Sequence, residues 1–105
     1  MNYKEMSDFE INKLVAKRRG LKVLFSHSGL GPIYLDNEDK SKVDYCNNPS
    51  DAWPIILENR INIKHLPISD AWTAEESKDI CVYSIDKNPL RASMIVYLMM
   101  GEGDD

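Results

Sequence analysis

The chain has no long apolar run and no leader-like start. No stretch of its 105 residues reaches the roughly 20 consecutive apolar residues that a membrane-spanning helix needs. The opening residues 1–5 are polar and lack the charged-then-apolar order of a secretory signal. We therefore expect a protein without a membrane span that remains inside the cell that makes it.

Cysteine and histidine are scarce. Cys46 and Cys81 are too few for the disulfide framework of a small secreted domain, so we expect both thiols to be reduced. The histidines, His27 and His65, show none of the short ligand spacings of a zinc site. No local pattern pairs a cysteine with a histidine as nucleophile and base. We therefore predict no metal site, no cofactor and no catalytic residue.

Positive charge is not in excess. The chain carries 13 Lys and Arg against 17 Asp and Glu, a formal net charge of −4, whereas proteins dedicated to duplex nucleic acids usually have a basic face. One local cluster departs from this balance and comprises Lys13, Lys17, Arg18, Arg19 and Lys22. A solvated helix end explains it most simply, since cations are favoured at a helix C-terminus. A nucleic-acid contact is the alternative.

Two β-rich runs in the chain each end in Asn-Pro. We call Asn48-Pro49 the first Asn-Pro unit and Asn88-Pro89 the second. An asparagine side chain can accept a hydrogen bond from the free N–H groups at a helix start, and proline at the first helical position loses no bond. Both units therefore predict helix starts. They share little else, so we interpret them as the same capping chemistry used twice rather than as a repeat.

Three helices are predicted. The first covers about 8–19, because Ser7 to Glu10 form a capping box and Gly20 supplies the stop. The last covers about 89–100, is apolar on most of its surface and should be buried, with Gly101 as its stop.

The second helix, about 49–59, contains an internal proline. We expect Trp53, Ile56 and Leu57 to share its buried face. If the helix began at Pro49, Pro54 would remove an internal hydrogen bond and kink it. We therefore favour a tight first turn at Asn48 followed by a regular helix from Asp51.

Short strands fill the remaining chain. The candidates are residues 21–25, 33–35, 43–45, 61–66, 70–74 and 80–83, with a polar turn at 75–79. The fold class should be α+β: three helices packed on a small, largely antiparallel sheet of three to five strands. Residues 1–105 should form one domain, of which the acidic residues 102–105 should be a frayed tail.

Two segments carry a resemblance to a known family. DYCNNPSDAWPII (44–56) and NPLRASMIVYLMM (88–100), together with MSDFEIN (6–12), resemble the NinX family of lambdoid bacteriophages. The resemblance implies a small phage-encoded protein made in the host bacterial cytoplasm, similar to small phage domains with an α/β/α sandwich. The family has no established activity, so the resemblance transfers no catalytic residue.

Four residues are candidates for binding a partner: Asn47, Asp51, Trp72 and Arg91. Trp72 lies in an irregular segment, and tryptophan is enriched at interface hot spots. Trp53, in contrast, is expected in the core. Arg91 is placed against the dipole of the last helix, so it should pair with Asp86 or Glu58, or else face a partner.

Three functions remain open at this point. The first is a non-enzymatic module that binds a host or phage protein, since most of so short a chain is needed for its own core. The second is a nucleic-acid-associated factor that uses the cluster between Lys13 and Lys22. The third is a small enzyme acting on a nucleotide or peptide. A homo-oligomer is compatible with all three.

Overall fold

The computed structural model describes residues 2–24, 31–79 and 81–102. Its helices are α1 (Asp8–Arg18), α2 (Pro49–Asn59) and α3 (Pro89–Glu102), and a 3-10 turn covers Tyr3–Glu5. Its strands are β1 (Ile33–Tyr34), β2 (Lys42–Val43), β3 (Ile61–Leu66), β4 (Ala71–Glu76) and β5 (Tyr83–Asp86). The predicted α+β class with three helices and antiparallel strands is confirmed, and the five strands are divided between two sheets instead of forming the single one that was predicted.

The strands form two antiparallel sheets. β1 pairs with β2, while β3, β4 and β5 form a three-stranded sheet in that order. The hairpin of β3 and β4 is regular over six residues, from Ile61 opposite Glu76 to Leu66 opposite Ala71. Asp70 closes its turn with a φ of 51°, a left-handed conformation that Asp tolerates better than most residues.

The strand prediction was wrong in two places of this sheet. Glu75 and Glu76 belong to β4 rather than to a polar turn, and β5 begins at Tyr83 instead of Ile80. Of the predicted run 80–83, Tyr83 alone lies in a strand among the described residues, because pairing with β4 decides the bounds. The register runs from Tyr83 opposite Glu75 to Asp86 opposite Trp72, so β5 continues beyond the apolar run.

Helix α3 is the centre of the fold. It contacts α1, α2 and all three strands of the larger sheet. Residues 91–98 are all buried, as its apolar sequence predicted. Gly101 lies inside the helix and does not end it, contrary to expectation. A Cβ at Gly101 would clash with Nε of Arg18, so the glycine allows that side chain to lie across α3.

The larger sheet has one covered and one exposed face. Ala74 and Ser84 are buried on the face towards α3, whereas Lys64, Tyr83 and Ile85 are exposed on the other face. Within the described residues, α3 is the helix that contacts all three strands of this sheet. The α/β/α sandwich that the resemblance implied stays a prediction.

Helix α2 differs from its prediction in start and orientation. It begins at Pro49, so Pro54 is an interior residue rather than part of the first turn. Pro54 has no N–H, so the carbonyl of Ser50 lacks an intrahelical donor. Both residues are exposed to water. Trp53 and Leu57 point outwards with 53% and 57% of their surface exposed, so their predicted place in the core was wrong.

Some predictions fall at the margin of the described chain. The candidate strand 21–25 reduces to a single bridge between Val23 and Leu35. Glu102 is the last residue of α3 and accepts a hydrogen bond of 2.6 Å from the Tyr3 hydroxyl. The predicted frayed tail therefore does not begin at Glu102. Phe25, His27, Ile80 and residues 103–105 lie outside the described residues.

Candidate functional site

Asn88 of the second Asn-Pro unit bonds to the two residues that precede the first unit. Asn88 donates from Nδ2 to the carbonyl of Cys46 at 2.7 Å and to Oδ1 of Asn47 at 3.0 Å. Its Oδ1 accepts from the N–H groups of Leu90 and Arg91 at 2.9 and 3.3 Å, which is the predicted helix cap. We call the set of polar side chains around this meeting point the polar hub, and it consists of Asp8, Asn12, Asp44, Asn47, Asn88 and Arg91.

Arg91 holds the N-terminal segment to the hub. Its Nη1 lies 2.6 Å from Oδ1 of Asp8, and its Nε lies 3.1 Å from Oδ2 of Asp86. Its Nη2 donates to the carbonyls of Met6 and Tyr3 at 2.6 and 3.3 Å. Burial alone would lower the pKa of Arg91, but the Asp8 carboxylate outweighs it and the pKa is raised. The guanidinium is therefore a permanent, buried cation.

The expected alternatives for Arg91 can now be separated. Pairing with Asp86 is confirmed. Glu58 pairs instead with Arg19, at 3.6 Å on the surface. Since 91% of Arg91 is removed from solvent, its use for a partner contact stays a prediction that the geometry does not favour.

Asn47 and Asp51 also have partners inside the chain. Asn47 donates from Nδ2 to Oδ2 of Asp8 at 3.0 Å and to Asp44. Asp51 accepts a 2.9 Å hydrogen bond from the backbone N–H of Asp44. Both residues therefore stabilise the approach to α2, and a contact role for them stays a prediction.

Cys46 lies beneath the hub and is fully buried. Its N–H donates to Oδ1 of Asn12 at 3.1 Å. Burial, reinforced by the nearby Asp8, raises the pKa of its thiol, which keeps it protonated and a poor nucleophile. Among residues 2–24, 31–79 and 81–102, no three His, Cys, Asp or Glu side chains are placed to hold a metal ion.

Trp72 lies near the turn of the β3–β4 hairpin. Its ring centroid is 4.8 Å from that of His65, with the two planes tilted by 53°. Nε2 of His65 is 3.1 Å from Oδ1 of Asp70, which links the strand to the turn. Trp72 is half-buried, so part of its ring is available to a partner.

A second tryptophan, Trp53, is more exposed than Trp72. It lies with Leu57 on the outer side of α2, beside a groove of about 540 Å³ between this helix and β3. Arg60, in the left-handed conformation with φ of 51°, ends α2 at the groove and turns the chain into β3. We call this surface the α2–β3 groove, and it is lined by Trp53, Ile56, Leu57, Arg60, Ile61, Asn62, Ile63 and Ser77.

The sequence of α2 contains a second apolar stripe, from which the exposure of Trp53 could have been predicted. Ala52, Ile55 and Ile56 are the residues of α2 that are buried, and their spacing of three and four is as regular as that of Trp53, Ile56 and Leu57. The sequence alone favoured the bulkier set. The small Ala52 is buried because α2 packs closely against α3.

The basic cluster is divided by the helix that carries it. Lys13 and Lys17 are exposed and one turn apart, with Nζ of Lys13 5.2 Å from the centroid of the Phe9 ring. Arg18 instead lies over the ring of Tyr97 on α3, at 4.1 Å. Arg19 pairs with Glu58, so the exposed cations of the predicted cluster are Lys13, Lys17 and Lys22.

One comparison with known proteins covers every segment that contributes a residue to the polar hub. In the described part of the chain, no helix combines the length and apolar character needed to cross a membrane. No curated protein and no solved structure matches the chain. A family model described as "Bacteriophage P22, NinX" matches residues 2–101, which include both Asn-Pro units, all three helices up to Gly101 and every strand. The chain therefore belongs to the phage NinX family.

Proposed function

We propose that this phage protein is a non-enzymatic accessory module that acts in the host cytoplasm by binding another protein through the α2–β3 groove. The observation that carries the proposal is the exposure of Trp53 and Leu57 beside the apolar wall of the groove. The partner is a host or phage protein.

Trp53 and Leu57 are suited to contact because the fold does not use them. They are one helical turn apart on α2, so their side chains lie on the same side of the helix. Neither belongs to the buried core, although tryptophan and leucine are costly to leave in water. Large exposed apolar side chains grouped beside a groove are typical of a protein interface, and tryptophan is enriched among residues that dominate binding.

The charge at the groove indicates what kind of segment fits it. Arg60 is exposed at the end of α2, and no carboxylate in the described chain forms an ion pair with it. An arginine can bind a carboxylate through two parallel hydrogen bonds. We therefore expect the partner to present an apolar side chain against Trp53 and Leu57, with an Asp or Glu next to it for Arg60.

The residues that line the groove favour binding over catalysis at this surface. Arg60 is the one titratable side chain among them, and arginine is not deprotonated in proteins, so the lining offers no general acid or base. The groove therefore has the character of a contact surface.

Affinity capture from phage-infected cells tests the proposal. The tagged protein, the double variant Trp53→Ala/Leu57→Ala and the control Tyr34→Ala/Ile68→Ala would be captured in parallel, each with and without nuclease. The control also removes two exposed apolar side chains, but from β1 and the β3–β4 turn. We expect a specific partner that survives nuclease, is retained by the control and is lost with the double variant.

Three other results would contradict the proposal. A partner bound equally by the double variant would place the contact elsewhere, and Trp72→Ala would then be the next variant. Partners lost with nuclease and with Lys13→Gln/Lys17→Gln/Lys22→Gln would support the nucleic-acid alternative. No partner in any sample would favour a small-molecule or enzymatic role.

A further inference from the structure

We infer that β5 is an interface with a second copy of this chain, which pairs antiparallel with it and joins two three-stranded sheets into one of six strands. The inference rests on the free edge of β5 and on the buried hydroxyl of Ser84. It is independent of the proposed function, because the α2–β3 groove lies beside β3 at the other edge of the sheet.

The hydrogen-bond pattern shows which backbone groups of β5 face outwards. The N–H of Glu76 donates to the carbonyl of Val82 at 3.0 Å, and these residues are opposite each other in the register of β4 and β5. Bonded and non-bonded pairs alternate in an antiparallel ladder, so Ser84 is bonded to β4 while Tyr83 and Ile85 direct their N–H and C=O groups away from it. Among the described residues no backbone group pairs with this edge.

The side chains of this edge are not protected against pairing. Tyr83 and Ile85 are exposed on the outer face of the sheet, at 52% and 37%. Edge strands that must stay single usually carry lysine, proline or a bulge. Within the strand itself, β3 has such a residue in Lys64, whereas Tyr83–Asp86 contains no lysine or proline. Each strand is followed by such a residue outside its bounds, Pro67 after β3 and Lys87 after β5.

Ser84 provides the observation that selects a second copy. It is 5% exposed, and its Oγ is the one buried side-chain polar atom without a hydrogen-bond partner in the described chain. A buried hydroxyl without a partner is costly, roughly 1–3 kcal/mol. Ser84 lines an open cavity of about 530 Å³ at the edge of the sheet, so a rotation about χ1 would turn its buried hydroxyl towards a strand placed alongside β5.

A two-fold axis through Ser84 pairs the outward backbone groups of Tyr83 and Ile85 and brings the two Ser84 side chains together. In this register Tyr83 of each copy is opposite Ile85 of the other, and the outward N–H and C=O groups form four backbone hydrogen bonds. The two Ser84 residues then form a non-hydrogen-bonded pair, in which the Cβ atoms are roughly 4.5–5.5 Å apart and hydroxyls can bond across the strands. The two charged residues that follow, Asp86 and Lys87, are opposite uncharged ones.

The first test is the mass of the full-length chain in solution as a function of concentration, by analytical ultracentrifugation. We expect twice the 12.0 kDa chain at high concentration. Ile85→Pro should dissociate the dimer without loss of the β4–β5 ladder, because the N–H that proline removes points outwards. His65→Pro is the matched control, since its N–H points outwards from the other edge strand, and it should leave the dimer intact. A monomer at all concentrations would overturn the inference.

Cysteine cross-linking tests the register and does not depend on the proline variants. In a Cys81→Ser background, Ser84→Cys should form an intermolecular disulfide on oxidation, since Cα atoms of a non-hydrogen-bonded pair are close enough for one. Tyr83→Cys is the control, because Tyr83 is opposite Ile85 and not itself. Cross-linking of Tyr83→Cys but not of Ser84→Cys, or of neither variant, would contradict this interface.

Ser84→Ala separates dimerisation from folding. We expect its dimer dissociation constant to rise about 5-fold, as for the loss of one hydrogen bond. The isolated monomer should unfold at the same temperature or higher, because the variant removes an unsatisfied hydroxyl. An unchanged dissociation constant would mean that Ser84 is not at the interface.

Discussion

The two Asn-Pro units have the same local chemistry and very different surroundings. In both, an asparagine Oδ1 accepts from the helix N–H groups that follow. Asn48 is exposed, and in the described chain its side chain bonds the N–H of Ser50. Asn88 also donates to Cys46 and Asn47, and the helix that it starts carries Arg91. A cap of either kind starts a helix, but only the second joins distant parts of the chain.

This comparison also separates stability from function. The second unit leads into a helix that is buried and bound to the N-terminal segment. The first leads into a helix whose outer side carries Trp53 and Leu57 in contact with water. We therefore expect substitutions around the second unit to affect folding, and substitutions on the outer side of α2 to affect binding.

Arg91→Met should have the largest effect of the predicted substitutions. It leaves the Asp8 and Asp86 carboxylates without their cation and releases the carbonyls of the N-terminal segment. We expect unfolding free energy to fall by about 3 kcal/mol, as for other buried pairs that lose one partner. Arg19→Met is the control, because its pair with Glu58 is on the surface and should contribute less than about 1 kcal/mol. Urea denaturation of both variants measures the difference, and equal losses would show that Arg91 is no more important than a surface arginine.

Alanine at the two asparagines compares the units directly. Asn88→Ala should lower the unfolding free energy by about 2 kcal/mol, because a cap and two interior hydrogen bonds are lost together. Asn48→Ala should cost about 0.5–1 kcal/mol, since it removes a cap at an exposed site. Thermal unfolding of the two variants is the measurement. A larger loss at Asn48 would reverse the interpretation.

Tyr3→Phe tests the contact between the N-terminal turn and the end of α3 through the pH dependence of the unfolding free energy. Burial, with the hydrogen bond to Glu102, raises the pKa of Tyr3 from 10.0 to about 12. In the unfolded chain the phenol ionises first, so this stabilisation is complete below pH 10 and is lost as the pH rises through about 12. We expect the variant to be about 1 kcal/mol less stable at pH 7 and to lose less stability than the natural chain between pH 10 and 12. Parallel curves over that range would exclude a raised pKa.

Trp53→Ala should have the smallest effect on folding. Its side chain is more than half exposed, and we expect a change within about 0.5 kcal/mol. Ile56→Ala, on the buried side of the same helix at 3% exposure, should cost about 2–4 kcal/mol. Chemical denaturation of this pair checks which side of α2 faces the core. A large loss for Trp53→Ala would argue that the groove is structural.

Local signals in the sequence predicted most elements, because capping and period are properties of a few neighbouring residues. Ser7 as a cap, Asn48 and Asn88 as caps, and the alternation over 61–66 all correspond to the structure. Strand bounds at 80–83 were less accurate, since the partner strand sets them. The orientation of α2 was wrong because two apolar stripes fit the same sequence, and packing against α3 chooses between them.

The candidate site was less accessible to sequence reasoning than the fold. Asn47, Asp51 and Arg91 stand out in the sequence, yet the structure gives each of them partners within the chain. The α2–β3 groove and the edge of β5 combine residues from separate elements. Exposure of Trp53 and burial of the Ser84 hydroxyl depend on neighbours far along the chain.

The sequence by itself determined the class of the fold, its three helices, the central place of the apolar last helix and the family. These follow from side-chain period, caps and long local segments, which need no knowledge of distant contacts. The tertiary structure alone decided that Asn88 bonds the residues before the first Asn-Pro unit and that Arg91 is an interior cation. It also decided that Trp53 is exposed and that, among the described residues, the outer edge of β5 has no backbone partner. Each of these depends on which elements approach one another, and hydrophobic burial and hydrogen bonding fix that only when the whole chain packs.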